Sequence, residues 1–212
     1  MELETTQIEV AKRLLEINTI KIQPDMPFTW ASGWKSPIYC DNRKILAYPE
    51  ARGFIRDKFV EIISEKYPDA EVIAGVATGA IAHGALAADK LGLPFIYVRS
   101  APKGHGLENL IEGELKPEQK VVIVEDLVST GISSLKAVDA VNNFGGKVIG
   151  MTAIFTYNFP QAKENFRKAE VELTTLSNYQ ILIELALKMG NISQKQVDSL
   201  MKWREDPENW GK

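Results

Sequence analysis

The stretch VVIVEDLVSTGISS, residues 121–134, places two adjacent acids, Glu125 and Asp126, between a run of β-branched apolar residues and a run of small hydroxyl and glycine residues. Carboxylates at the end of a strand suit sugar hydroxyls, or a metal ion bound to them, because ionised carboxylate oxygens only accept hydrogen bonds and bind hard cations well. The residues behind them favour the opposite charge. Ser129, Thr130, Gly131, Ser133 and Ser134 can turn backbone N–H groups and hydroxyls toward an anion just ahead of a helix N-terminus, where the helix dipole adds to the attraction. The loop lacks the Gly-Lys-Ser/Thr ending of a nucleotide P-loop and the three glycines of a dinucleotide turn. Phosphate repels carboxylate, so pair and loop together predict a ligand with two different ends, such as a sugar phosphate. A plain strand end followed by a capped helix would use the same residue types, and these fourteen residues alone leave both readings open.

A second region adds positive charge. VRSAPKGHGLENLIEG carries Arg99, Lys103 and His105 among Gly104, Gly106 and Gly113. It fills most of a gap of about 20 residues between two predicted strands, a length that compact domains mostly reserve for functional or disordered loops. Cationic donors on a backbone with glycine hinges predict a mobile lid from Arg99 to Gly113.

These segments need a scaffold, and residues 71–155 supply the pattern for one. The short apolar runs EVIAGVA, PFIYVRS, KVVIVED and KVIGMTAIF alternate with helical or loop stretches, which predicts βαβ units and a parallel sheet covered on both faces. The first crossover, GAIAHGALAADKLG, ends at Gly92, and the second runs from about Ser133 to Phe144. Strand ends in such a sheet face the ligand crevice, and Glu125 and Asp126 fall where the strand starting near Val121 should stop. Pro49 opens a further helix with Phe54, Ile55, Phe59, Ile62 and Ile63 on one face. FTWASGWKSPIYCDNRK predicts short strands and turns over the sheet, while Ser177 with Gln180 and Ser193 with Gln196 predict capping boxes for two late helices. The division expected is one domain: about 1–48 contributing a hood, about 49–176 the α/β core and about 177–212 the last helices.

The 212 residues are 45% hydrophobic with a net charge of -3, enough for one real core and no general pull toward nucleic acid or an anionic membrane. The single cysteine, Cys40, cannot form an internal disulfide, and MELETTQIEV has neither the basic region nor the apolar core of a signal peptide. The expected location is cytoplasmic, and no apolar run approaches the roughly 20 residues needed to cross a bilayer. His83 lacks a second metal ligand at suitable spacing and is expected to be structural, Cys40 to be a packing residue or pocket wall, and Trp30 and Trp34 to pack the hood onto the core.

VVIVEDLVSTGISS resembles the phosphoribosyl pyrophosphate (PRPP) signature of type I phosphoribosyltransferases, and FTWASGWKSPIYCDNRK with YVRSAPKGHG is similar to the orotate branch of that family. Three motifs in order, over roughly residues 28–157, are more specific than the signature alone. The resemblance implies a type I phosphoribosyltransferase-like α/β fold, parallel sheet flanked by helices, with a small N-terminal hood. It implies Mg²⁺-dependent transfer of the 5-phosphoribosyl group from PRPP to orotate, giving orotidine 5'-monophosphate and pyrophosphate in pyrimidine biosynthesis. By the same resemblance Glu125, Asp126, Leu127, Val128, Ser129, Thr130, Gly131, Ile132 and Ser133 bind PRPP, the two acids at the ribose hydroxyls and Ser129 to Ser133 at the 5-phosphate. Ser129 and Tyr39 border orotate, and Thr78 and Gly79 form the turn beside pyrophosphate. Arg99, Lys103 and His105 close over the leaving group, and with Asp126 they are the implied catalytic residues. The metal is implied to come mainly with PRPP rather than on direct protein ligands. A homodimer with the lid shared across its interface is also implied.

The sequence departs from the family pattern at Ala31, Gly79 and Ser100, where many relatives carry lysine, and in FTYN near Tyr157, where some carry arginine. Lys103 is therefore expected to carry more of the charge stabilisation. Two other functions compete: transfer to a different base, and PRPP sensing without chemistry. The SGWKSPIYC segment and the lid oppose the first, and the acidic chain without a basic N-terminal element opposes a nucleic-acid-coupled sensor.

Overall fold

A computed structural model of the chain describes residues 2–30, 33–101 and 110–210. Ala31, and Lys103 and His105 of the expected lid, lie outside the described residues. In chain order the elements are α1 (Glu2–Glu16), β1 (Ile20–Ile22), β2 (Phe28–Thr29), β3 (Lys35–Ser36), β4 (Ile38–Cys40), a 3-10 helix (Asn42–Ala47), α2 (Pro49–Lys66), β5 (Val72–Val76), α3 (Ile81–Leu91), β6 (Phe95–Val98), β7 (Ile111–Glu112), β8 (Lys120–Val128), α4 (Ile132–Asn143), β9 (Lys147–Thr156), α5 (Pro160–Lys168), β10 (Leu173–Asn178), α6 (Tyr179–Lys188) and α7 (Gln194–Glu205).

The main sheet has the order β10-β9-β8-β5-β6-β7, with every neighbouring pair parallel except the edge pair β6–β7. The chain winds outward from β5 to β6, then from β8 in the other direction to β9 and β10. Right-handed crossovers put α3 on one face and α4 and α5 on the other. Winding therefore reverses between β5 and β8, the place where open α/β sheets take ligands. The central strands read as continuous apolar runs because both faces are covered: Val72, Ile73 and Ala74 of β5 and Val121 to Val124 of β8 are 0% exposed. α2 starts with Pro49 in its first turn and buries Ala51, Ile55, Phe59, Ile62 and Ile63. α3 stops where expected, at Gly92, whose φ of 68° is the left-handed cap that glycine adopts without strain.

Several expectations are corrected. Ser177 does not cap α6; β10 stays paired with β9 through Asn178, so the helix begins one residue later, with the Asn178 side chain accepting from Ile181 N–H. The Ser177 hydroxyl instead donates to the Gln7 carbonyl at 2.8 Å. Ser193 and Gln196 do form the capping box of α7. α1 packs against β10 and α6 and also touches β1. The gap between β6 and β8 is also shorter than predicted, because buried Ile111 pairs with Val98 in β7 and Arg99 N–H donates to the Leu110 carbonyl at 2.8 Å. Gly113, at φ 111°, lies so close to Ile96 that a Cβ would meet its side chain at 3.0 Å. Ile111 to Gly113 thus belong to the sheet edge rather than to a lid. Among the described residues no helix is long and apolar enough to cross a membrane.

The hood consists of two antiparallel ribbons, β1–β4 and β2–β3. Too small to bury a core alone, it is held by α7. Trp203, 0% exposed, packs edge-on against Trp30, Tyr157 and Phe159, with ring centroids 5.7, 5.5 and 5.3 Å away, and donates from Nε1 to the Lys35 carbonyl at 3.1 Å. Trp203→Ala should cost about 3–5 kcal/mol, as for other buried large aromatics, while Trp203→Phe should cost less by keeping most of the ring contacts. Thermal or urea unfolding of the two variants checks this; equal, small losses would show that the hood does not depend on the cluster.

Candidate active site

Strand β8 outruns its neighbour. Its register with β5 ends at Val124–Gly75, whereas its register with β9 continues through Glu125–Ala153, Leu127–Phe155 and Val128–Thr156. The acids are therefore not at the tip of the strand, as the sequence suggested, but on a four-residue extension with β5 missing from one side. An open edge leaves backbone groups without ladder partners, and buried ones must find others. The Asp126 N–H donates to Glu125 Oε1 at 2.9 Å, and the Asp126 carbonyl accepts from Asn42 Nδ2 at 2.6 Å.

The two acids differ in kind. Glu125 is 5% exposed, and Glu125 Oε2 accepts from the Ser134 hydroxyl at 2.9 Å. Burial first, and then the neighbouring Asp126 charge, push its carboxyl well above the ordinary glutamate range. Asp126 is half-buried. Its carboxylate lies over the turn after β5, so close to Gly79 that a Cβ on that residue would meet Oδ2 at 2.1 Å. Any side chain at position 79 would displace the carboxylate, a local reason why glycine stands there. The peptide bond Ala77–Thr78 in this turn is cis, and Thr78 is exposed.

Leu127 and Val128 finish the strand, Val128 fully buried. The loop Ser129–Thr130–Gly131 then reverses into α4, whose first turn exposes Ile132 and Ser133. No side chain caps this helix, so the first N–H groups remain free to meet an anion. Gly131 has φ 80°, and a Cβ there would also strike the Phe166 ring at 2.8 Å. Asn165 Nδ2 donates to the Thr130 carbonyl at 2.9 Å. α5 thus braces the loop from behind, through two residues that the sequence did not single out.

Two cavities flank this strand end. One of about 280 Å³ is lined by Thr29, Trp30, Tyr39, Cys40, Leu127, Ser129 and Tyr157, and so brings together Tyr39 and Ser129, the two residues expected to border the base. The other, about 310 Å³, is lined by Val76, Ala77, Val98, Arg99, Ser100, Leu110 and the α4 face including Ser133 and Lys136. Arg99 Nη1 lies 3.3 Å from Glu112 Oε1, which ties the lid arginine back to β7. Cys40 is a pocket wall, as expected. Trp30 packs the hood at 5.3 Å from Tyr157, and buried His83 sits with Nε2 3.4 Å from the Asn42 carbonyl. Asn42, 1% exposed, went unnoticed in the sequence, because its partner Asp126 is 84 positions away.

Glu125→Gln separates the cost of burying an acid from its use. A folded-state pKa raised above the unfolded one means that stability from this group is full below the ordinary glutamate range and is lost as pH rises through the raised value. Gln can accept from the Asp126 N–H, and the Ser134 hydroxyl can rotate to accept from its amide. The variant should therefore melt higher than wild type by a margin that widens as pH rises above the ordinary glutamate range, with lower activity. A margin independent of pH would contradict the assignment.

The family described as Phosphoribosyl transferase domain matches residues 43–188. An orotate phosphoribosyltransferase of Porphyromonas gingivalis is 61% identical over 202 residues, covering 95% of this chain and 96% of that one. One from Streptococcus sanguinis is 54% identical, covering 95% and 97%. The crystal structure of orotate phosphoribosyltransferase from Aeropyrum pernix superposes with a TM-score of 0.75 at 27% identity, covering 87% of this chain and 99% of that one. With likeness along nearly its whole length, and with the acid pair and its loop at the reversal of the sheet, this chain belongs to the orotate phosphoribosyltransferases.

Proposed function

We propose that the strand end divides phosphoribosyl transfer between its two flanks: orotate in the pocket of Tyr39 and Ser129, PRPP along β8 and the loop into α4, and pyrophosphate toward the Thr78–Gly79 turn and Arg99. The observation that carries this is the position of Asp126, whose carboxylate lies against Gly79 in the turn after β5 while the next residue, Leu127, lines the pocket of Tyr39 and Ser129. The ribose hydroxyls face Asp126, with Glu125 behind it. The 5-phosphate meets the free N–H groups and the hydroxyls from Ser129 to Ser133. As orotate nitrogen attacks C1 and the C1–O bond to pyrophosphate breaks, the sugar passes through an oxocarbenium-like state. A half-buried carboxylate near the ring favours that positive charge, and Arg99, Lys103 and His105 balance the charge that leaves.

A hard divalent ion suits the donors. The Asp126 carboxylate offers oxygen ligands, while Glu125 is engaged with Ser134 and the strand, a set that fits Mg²⁺ arriving on the diphosphate with most of its shell supplied by phosphate and water. When bound, it neutralises part of the leaving group's charge. Transfer to another base and ligand sensing without chemistry are the rival functions. Comparing pyrophosphate release from PRPP and Mg²⁺ with orotate, uracil, adenine and hypoxanthine separates them. Orotate should be preferred to uracil by at least about a hundredfold, since a site built for a carboxylate rejects the analogue that lacks it. Equal release with both would defeat the assignment, and no release with any base would favour sensing.

The working unit proposed is a cytoplasmic homodimer in which Lys103 and His105 of one subunit serve the partner's site, as the family resemblance implies. Arg99 and Leu110 are joined by a backbone hydrogen bond, and the number of residues between them gives a span long enough to reach a partner's site. Lys103→Ala and Asp126→Asn chains, each inactive, should regain about a quarter of wild-type activity when unfolded and refolded together, because half the dimers are mixed and one site of each mixed dimer is intact. No recovery with mixed dimers present would mean that each chain closes over itself.

A further inference from the structure

Asn42 sits where the hood meets the strand end. It opens the 3-10 helix directly after β4, the hood strand that contributes Tyr39 and Cys40 to the base pocket. Three of its polar groups are engaged there, two of them across that seam. Asn42 Nδ2 donates to the Asp126 carbonyl at 2.6 Å, and its Oδ1 accepts from the Cys40 thiol at 3.4 Å. Its carbonyl is 3.4 Å from His83 Nε2 on α3, a contact in which the ring nitrogen donates. Asn42 is 1% exposed, so no solvent competes for these groups. One side chain therefore grips a wall of the base pocket with its oxygen and the backbone of the ribose-facing acid with its nitrogen.

We propose that Asn42 is a positioning residue for the transfer reaction, fixing the separation between the base wall and the Asp126 backbone and hence between the attacking nitrogen and C1. Transfer needs the nucleophile within near-attack distance of C1, and an error of about 1 Å can cost about a hundredfold in rate. The bond to Asp126 also replaces the ladder bond that β5 would have supplied, which makes the acid's position depend on the hood being seated. The proposal rests on the strand end being the phosphoribosyl transfer site.

The test uses two variants of the full chain: Asn42→Ala, which removes both side-chain bonds, and Asn42→Leu, which removes them while keeping volume. PRPP sites are titrated with Mg²⁺ present, and kcat is scored per binding site, so a partly folded preparation is judged on its folded fraction. Both variants should lose about tenfold or more in kcat while the Kd for PRPP stays within about threefold, since the phosphate loop is braced by α5 and not by Asn42. A kcat per site within about twofold of wild type, or a loss confined to KM, would overturn the proposal. Wild type is the control for the underlying function: if it releases no pyrophosphate with orotate, that function fails first and the proposal falls with it.

Discussion

A strand that runs four residues past its paired register with a neighbour must find partners for its exposed edge, and the rest of this site follows from how that is done. Where β5 stops, the backbone of Asp126 turns to a side chain on each side, Glu125 for its N–H and Asn42 for its carbonyl. The extension holds the Asp126 backbone by these two bonds while its carboxylate lies against Gly79. Gly79 completes the arrangement by having no side chain there. Catalytic geometry and backbone satisfaction are here one problem with one solution.

The two walls of the crevice are stabilised by different forces. Below, the loop into α4 is held by short-range contacts from α5, a ring against Gly131 and an amide on Thr130. Above, the hood relies on a cluster of rings that join Trp30 to Tyr157, Phe159 and Trp203. Tyr157 is fully buried within this cluster and also lines the pocket of Tyr39 and Ser129, so the residue that stands near the arginine of some relatives is a packing residue here.

Much of this was legible in the sequence because it depends on local pattern. β-branched runs marked the buried strands, Gly92 and Pro49 marked helix ends, and the switch from apolar to acidic to hydroxyl residues marked the ligand side of β8. α5 was missed since it buries little more than Ala162 and Phe166, too few for a periodic stripe. β7, two residues long, carries no periodicity at all, so the span to Gly113 read as loop. Ser177 looked like a cap because the spacing to Gln180 fits, yet pairing of β10 with β9 outweighed it. Asn42 could not be found this way: an asparagine after a strand most often marks a turn, and only the tertiary fold brings Asp126 to it.

The bond between Trp203 and the Lys35 carbonyl spans 168 positions, whereas the contacts of the phosphate loop with α5 span about 35. Synthesis proceeds from the N-terminus, and a nascent chain can form only the contacts whose two ends have both emerged. The loop into α4 can therefore be braced by α5 while the hood still lacks its anchor. The hood ribbons thus stay unclamped until a helix made 168 positions after the strand it holds has emerged.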